Sequence, residues 1–528
     1  MPVIGILLAL VAAASAAVAV WDRPSKRRSA AMLVAAVLAP ALIAADQWHA
    51  TQVEELRSSP ALLLAAFAVT GAIVAGLAAL MYRRPVLLPV LILIALPFRV
   101  PLTVGGEDAN LLMPLYLVMA AGVLVAALRQ WRGARSPAAT TPDRGGGPDQ
   151  PEPVADEAGS QAAAPRGIAA WMKPLLAASV VLFALGLIYS EDRSVGLQNL
   201  CFFLVPFAVI FALMSDVEWD RRRLRIVLAV VLAEALVCAL IGFAEYQFKE
   251  LLWNETVMRT NDFHVYFRVN SLFWDPNVYG RYLAVAITVA TGALLWARSL
   301  RDVTGLILVA AVLWLALMTT FSQSSYIALL AGLAVLVALR WSLRLVLAGI
   351  GVMAVGALLF GVFAGGLVKL DLGALNKQTS GRANLVEGGI EMFGNRPVLG
   401  YGSGSFSKSF KDEIAGPDAP VTESHTEPIT VAAEQGLVGF ALYATLIVSA
   451  LFALAAGFRS LMPGLGAAFG TNGGNRGPPA ARAIVLAAFV AVLVHTITYA
   501  DFLNDPVTWV LMAIGYSLAF PCRDTSAA

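Results

Sequence analysis

The chain has 528 residues, of which 59% are hydrophobic and only 14% charged, with a mean hydropathy of +0.75. That balance excludes a soluble globular domain and predicts an all-α fold, a polytopic bundle of membrane-spanning helices. The formal net charge of +2 carries little information beside the distribution of charge. The cysteines, Cys201, Cys238 and Cys522, make no framework, and no CxxC or HExxH pattern is present, so no structural or catalytic zinc is expected; no cofactor is expected either. No nucleic-acid partner is expected; the bilayer is.

Apolar runs fall near 2–20, 30–45, 61–81, 85–98, 110–128, 172–189, 198–215, 224–247, 278–297, 303–320, 325–340, 343–366, 428–456, 482–500 and 505–521. A helix needs about twenty residues to cross the hydrocarbon core, which gives about fifteen spans. The first run has its charges (Arg23, Lys26, Arg27, Arg28) behind it, and reads as a retained span with its N-terminus outside. Alternate loops then carry Arg83 and Arg84, the arginines of 129–135, the Arg221–Arg225 cluster, Arg298 and Arg301, Arg340 and Arg344, and Arg459 and Arg476. The positive-inside rule makes this set cytoplasmic and puts 248–277 and 367–427 outside. Residues 133–168 are rich in Pro, Gly, Ala and acid and read as a disordered cytoplasmic linker. The expected organisation is therefore a five-span section over 1–132, the linker, a membrane core over 169–366, an outer loop over 367–427 and a three-span section over 428–528.

That outer loop and the helix after it hold the densest polar sequence, SGRANLVEGGIEMFGNRPVLGYGSGSF followed by SHTEPITVAAEQGLVGF. Residues 382–394 predict a short amphipathic helix, with Ser380 as cap and Leu385, Ile390, Met392 and Phe393 as its apolar contacts. Its apolar face predicts a partly helical cap over an outward-facing cavity. Arg396-Pro397 ends the helix. The glycines of 400–406 suit either a turn or a close backbone approach to a ligand, but no Gly-Lys-Ser/Thr follows them, so this is not a nucleotide loop. Arg382, Arg396 and His425 beside that turn suit an anionic, phosphate-bearing substrate at the membrane surface.

The order SGR, MFGNRPVLGYGSGSF and SHTEPITVAAEQGLVGF resembles the O-antigen ligase and polymerase superfamily of bacterial membrane glycosyltransferases. FWDPNVYGRYLAVAI at 273–287 and TFSQSSYIALLAGL at 320–333 resemble two further elements of that family, so the likeness runs over roughly 265–445. Two positions depart from the family pattern: Gln323 stands where an arginine is common, and Thr426 where asparagine often follows the histidine. The resemblance implies metal-independent transfer of a glycan from undecaprenyl pyrophosphate to a hydroxyl of a sugar, lipid or protein, on the outer face of the cytoplasmic membrane. It covers ligases and polymerases alike.

A departing pyrophosphate needs cations, and an acceptor hydroxyl needs a base. Arg382, Arg268, Arg281 and Arg396 are the candidate pyrophosphate ligands, and His425 is the candidate base or a further pyrophosphate contact. Arg281 falls one turn inside a span, where a charge should face a cavity or snorkel outward. Arg396 has a structural alternative in Glu391. Glu434, two turns into its helix, reads as support for the site, and Asp275 and Asn277 as capping residues that support it from a helix start. His49 and His264 read as ordinary loop histidines, His495 as a packed, hydrogen-bonded core group, and Glu234 as a mid-membrane carboxylate in need of a partner. Arg268, Arg281 and Arg382 are expected to converge with His425. A flippase or transporter of lipid-linked glycans, and a non-catalytic assembly protein, are the alternatives; the first would not need the 367–427 loop and usually shows repeats, which this sequence lacks.

Overall fold

The computed structural model describes residues 3–48, 58–104, 107–133, 165, 167–252, 257–258, 261, 266–351, 382–416, 424–456, 458 and 479–520. In chain order the helices are α1 (Val3–Trp21), α2 (Lys26–Asp46), α3 (Pro60–Arg83), α4 (Leu87–Ala95), α5 (Met113–Trp131), α6 (Met172–Gly186) and α7 (Arg193–Asn199). A π-helical turn, Leu200–Leu204, joins α7 to α8 (Val205–Ser215). Then come α9 (Arg221–Phe248), α10 (Pro276–Leu295), α11 (Leu300–Thr320), α12 (Gln323–Arg340), α13 (Arg382–Asn395), α14 (Phe406–Phe410), α15 (Glu427–Ala455), α16 (Pro479–Thr498) and α17 (Pro506–Ala519). Among the described residues one antiparallel hairpin, Val100–Val104 with Glu107–Leu111, accompanies the helices.

Among the described residues twelve helices are long and apolar enough to cross a membrane. The remaining apolar runs of the sequence divide. Residues 85–98 form only the nine-residue α4, and 505–521 the fourteen-residue α17. Most of 343–366 lies outside the described residues, as do most of 133–168 and the stretches 367–381 and 417–423 of the outer loop.

Polar caps fix where the helices begin. Ser25, Asp220, Asp275, Ser299 and Asp505 each accept a backbone N–H from the first turn of the helix that follows. At α10 and α17 the cap is an Asp-Pro pair, in which proline fills the first helical position, where its missing N–H costs nothing. Helix α10 is the hub of the C-terminal half and packs against α9, α11, α12 and α16. Helix α1 packs against α2, α6 and α8 in the N-terminal half, and α15 ties the halves together through α6, α16 and α17. Nearly all of α8 is buried.

The two ends of the bundle differ chemically. At the basic end Arg28 is buried, donates to the Ala19 and Ala212 carbonyls, and pairs with Asp216 at 2.6 Å, clamping the α1–α2 turn to the end of α8. The opposite end collects the loop after α6, the α11–α12 turn, the segments 395–416 and 424–426, and the α16–α17 loop. It holds nearly every polar residue singled out from the sequence.

Candidate functional site

The site begins with the cap of α10. Asp275 accepts from the backbone N–H of Asn277 at 2.6 Å and of Val278 at 3.1 Å, which starts the helix and turns the Asn277 side chain inward. The Asn277 side-chain oxygen takes a proton from Arg268 Nη2 at 3.0 Å and from Ser322 Oγ at 2.9 Å. Arg268 Nε donates to the Thr320 carbonyl at 2.9 Å, and its own backbone is clasped by Asn261 through both groups of that side-chain amide. Phe321, at φ 50, makes the left-handed turn that delivers Ser322 to this spot. Gln323, the departure from the family arginine, points out of the cluster and is exposed.

Ser322 opens a chain of hydroxyls. Ser325 donates to Ser322 at 2.8 Å, Ser324 lies 3.1 Å from Ser322, and both reach His495 Nε2, at 3.2 and 3.3 Å. His495 is fully buried on α16, as the sequence reading of a packed, hydrogen-bonded group has it. Tyr499 stands edge-on to His495, with ring centroids 5.7 Å apart, and its ring centroid lies 5.3 Å from that of His425. His425 itself is half-buried, at φ 54. A non-glycine residue held in the left-handed region costs of order 1 kcal/mol, and such positions cluster at functional sites. Arg268, Asn277, the serine run and the two histidines are thus one connected assembly, built from residues up to 227 positions apart (268 to 495).

Arg281 sits one turn further into α10 and is 2% exposed. It pairs with Asp505 at 2.7 Å, lies 4.0 Å from Asp501, and donates to the Ala500 carbonyl at 3.2 Å. The cavity it faces, between Arg99, Phe273, Tyr282 and Asp505, measures about 10 Å³, which is room for no more than a water. Burial pushes the Asp501 carboxyl above its ordinary range, while Arg281 and Arg99 pull it back. Asp501 in turn donates its backbone N–H to Glu427, two residues after His425. Arg281 therefore neighbours the His425 assembly, with its charge already answered by carboxylates rather than directed to a shared pocket.

The glycine-rich turn is packed closely against neighbouring backbone. Gly400, Gly402 and Gly404 all have positive φ, and the backbone they touch is the protein's own. A Cβ on Gly402 would lie 2.3 Å from Ser190 Cα, and one on Gly404 2.4 Å from the Gly196 nitrogen. The turn is a buried wedge between the α6–α7 connection and α15. Glu434 holds it by accepting from the Gly404 and Phe406 backbone N–H groups at 2.9 and 3.0 Å. Helix α15 breaks at Gly436 (φ 61), where the Pro397 carbonyl accepts from Leu437. Ser190 and Ser405 hydrogen bond across the wedge at 2.9 Å.

Arg396 is part of the same anchor. It stacks over Tyr401 at 4.0 Å and pairs with Glu191 at 2.7 Å and Glu413 at 3.8 Å, where the sequence suggested Glu391. The amphipathic α13 buries Met392 against Phe406 and Phe410, with Leu385 beside them, while Ile390, expected from the sequence among the apolar contacts, is 55% exposed. Gly388 and Gly389 occupy that face instead, because Phe410 and Ile429 fill the space their side chains would need.

Arg382 opens α13, but its side chain lies outside the described residues, as do Ser380, His49 and His264. Glu234 finds its partner in Tyr282, whose hydroxyl donates to it at 2.9 Å. An apolar cavity of about 520 Å³ lies between α2, α3, α5 and the π-helical turn in the N-terminal half, and no residue expected to bind the donor lines it. The serine run was read from the sequence only as part of the TFSQSSYIALLAGL element, with no role for its hydroxyls, and Tyr499, Asp501, Asp505 and Glu191 were not singled out. Their signal was present: polar residues crowded at the ends of apolar spans, SQSS at the start of α12 and HTITYAD at the end of α16.

Residues 307–444 match the family model described as O-antigen ligase. The match takes in α12, the wedge and the start of α15; the WDPN cap of α10 and His495 lie outside it and pack onto it. No functionally curated protein matches the chain.

Proposed function

We propose that this multi-pass membrane protein, residues 307–444 of which match the O-antigen ligase family model, moves a glycan from a polyprenyl-pyrophosphate-linked donor onto an acceptor hydroxyl of a sugar, lipid or protein. The reaction takes place at the end of the bundle opposite the basic loops, on the outer face of the cytoplasmic membrane. The observation that carries the reading is the assembly joining Arg268 to the His425 neighbourhood through Asn277, the Ser322–Ser325 run and His495.

In the proposed reaction the acceptor oxygen attacks the anomeric carbon as its proton passes to His425. The bond from that carbon to the pyrophosphate oxygen breaks, and polyprenyl pyrophosphate leaves with the electron pair. Arg268 and Arg382 bind the growing negative charge, the task that cationic groups do best where water is excluded. Arg268 suits this because Asn277 and Thr320 fix its plane in advance. Arg281 and Arg396, each already paired with carboxylates, are assigned to holding the scaffold. Arginines supply the whole counter-charge in this scheme, and no metal enters it.

Purified protein in liposomes, given a polyprenyl-pyrophosphate oligosaccharide and a glycan acceptor, should yield extended acceptor and free polyprenyl pyrophosphate in equal amounts. Donor that crosses the bilayer without transfer would replace this reading by a transporter. Neither outcome in the presence of intact, folded protein would point to a non-catalytic assembly role.

A further inference from the structure

The hydrogen bonds between α10, α12 and α16 have a direction that can be worked out from chemistry alone. Arginine only donates, so Asn277 must turn its oxygen, not its nitrogen, toward Arg268. That oxygen also lies 2.9 Å from Ser322 Oγ, so Ser322 spends its one proton there. Ser322 Oγ is then purely an acceptor toward Ser325 and Ser324. Beyond it, Ser324 and Ser325 each lie in hydrogen-bond range of His495 Nε2. If Nε2 carried only its lone pair, two hydroxyl protons would have to serve both contacts to Ser322 and both contacts to the ring. Two close pairs would be left as lone pair against lone pair in a fully buried place. A proton on Nε2, shared between the two serine oxygens, satisfies all of them.

We propose that His495 carries its proton on Nε2 and is a positioning residue for Arg268. It starts a one-way chain, His495 to Ser325 and Ser324, on to Ser322 and then to the Asn277 oxygen, and that chain holds the acceptor which aligns the Arg268 guanidinium. The functional half of this proposal rests on the reading of Arg268 as a donor-binding group. His495 lies outside the segment that matches the family, so the family likeness does not assign it.

The chain has only four histidines. Nitrogen NMR of protein labelled at histidine, with His495→Gln used to identify the resonance, reads the tautomer without any activity. A proton on Nε2 is the expected result; a neutral ring protonated only on Nδ1 overturns the proposal. In the transfer assay, His495→Phe removes the donor while keeping a flat ring, and should raise the donor KM about tenfold, the loss expected when a bond supporting a charged group goes. His495→Gln, which can present an amide N–H, should restore most of that. In an Arg268→Ala background His495→Phe should add nothing, since the group it positions is gone. Equal losses in both backgrounds would make His495 merely structural and overturn the positioning role. An Nε2 proton in a protein that transfers no glycan would uphold the hydrogen-bond chain and sink the transfer reading instead.

Discussion

His425→Asn protein is expected to insert, fold and bind donor like the parent, and to lose glycan transfer by about 10²–10⁴-fold, the range a positioned general base supplies. Asparagine is the informative substitution because of the backbone. His425 is held at φ 54, a left-handed conformation that asparagine adopts with little penalty and alanine does not. The variant therefore removes the imidazole without straining the entry to α15, where Ser424 caps the turn by accepting from Thr426 and lies 2.7 Å from Thr430. The effect should fall on kcat, since the base acts as the acceptor oxygen attacks, and not on the donor KM. Arg268→Ala should do the reverse in part: taking a cation away from the leaving group costs about 10²–10³ in rate, together with weaker donor binding. Near-normal turnover in His425→Asn at limiting donor would remove a protein base from the mechanism and leave the arginines to act alone.

Arg281→Met should instead be a stability variant, at about 3–5 kcal/mol, the cost of removing one member of a buried pair and leaving the other charged. Asp505 would stay behind with its carboxylate buried, and Asp501 and Arg99 nearby. Thermal unfolding in detergent and the amount of protein recovered from membranes both report this. Adding Asp505→Asn should restore most of the loss. The amide keeps an oxygen for the N-cap of α17, which Asp505 supplies to Val507 at 2.8 Å, while the unpaired charge is gone. If Arg281→Met melts like the parent and yet fails to transfer glycan, then Arg281 is a donor ligand, and its pairing with Asp505 is an arrangement that the donor displaces.

Hydropathy made the bundle legible from sequence, because each span must satisfy its own backbone and bury an apolar surface, and both demands write themselves locally. Capping was equally local: Asp275 with Pro276 announces α10 within three residues. Partnerships were not. Arg281 and Asp505 are bound to each other across the whole C-terminal half, and nothing near either residue says so. The glycines of the 400–406 wedge were visible, but a glycine needed for a ligand and a glycine needed because Ser190 or Gly196 presses against it look identical in a sequence. The same ambiguity hid the Ser322–Ser325 run. Serine is common enough that only the arrival of His495 and Asn277 from other helices gives it meaning. Arg396 marks the middle case: its need for a carboxylate was clear, while the choice of Glu191 over Glu391 depended on the fold.

In the proposed reaction a single site at the less basic end of the bundle holds the donor's pyrophosphate against Arg268 and its sugar against His425. The most direct test is a structure of the protein with a non-transferable polyprenyl-pyrophosphate sugar bound. Phosphate oxygens are expected within hydrogen-bond distance of the Arg268 guanidinium, with the anomeric carbon turned toward the His425 ring and the lipid leading away into the bilayer. Phosphates bound instead among the arginines of the basic end, or at a site lined by neither residue, would contradict it.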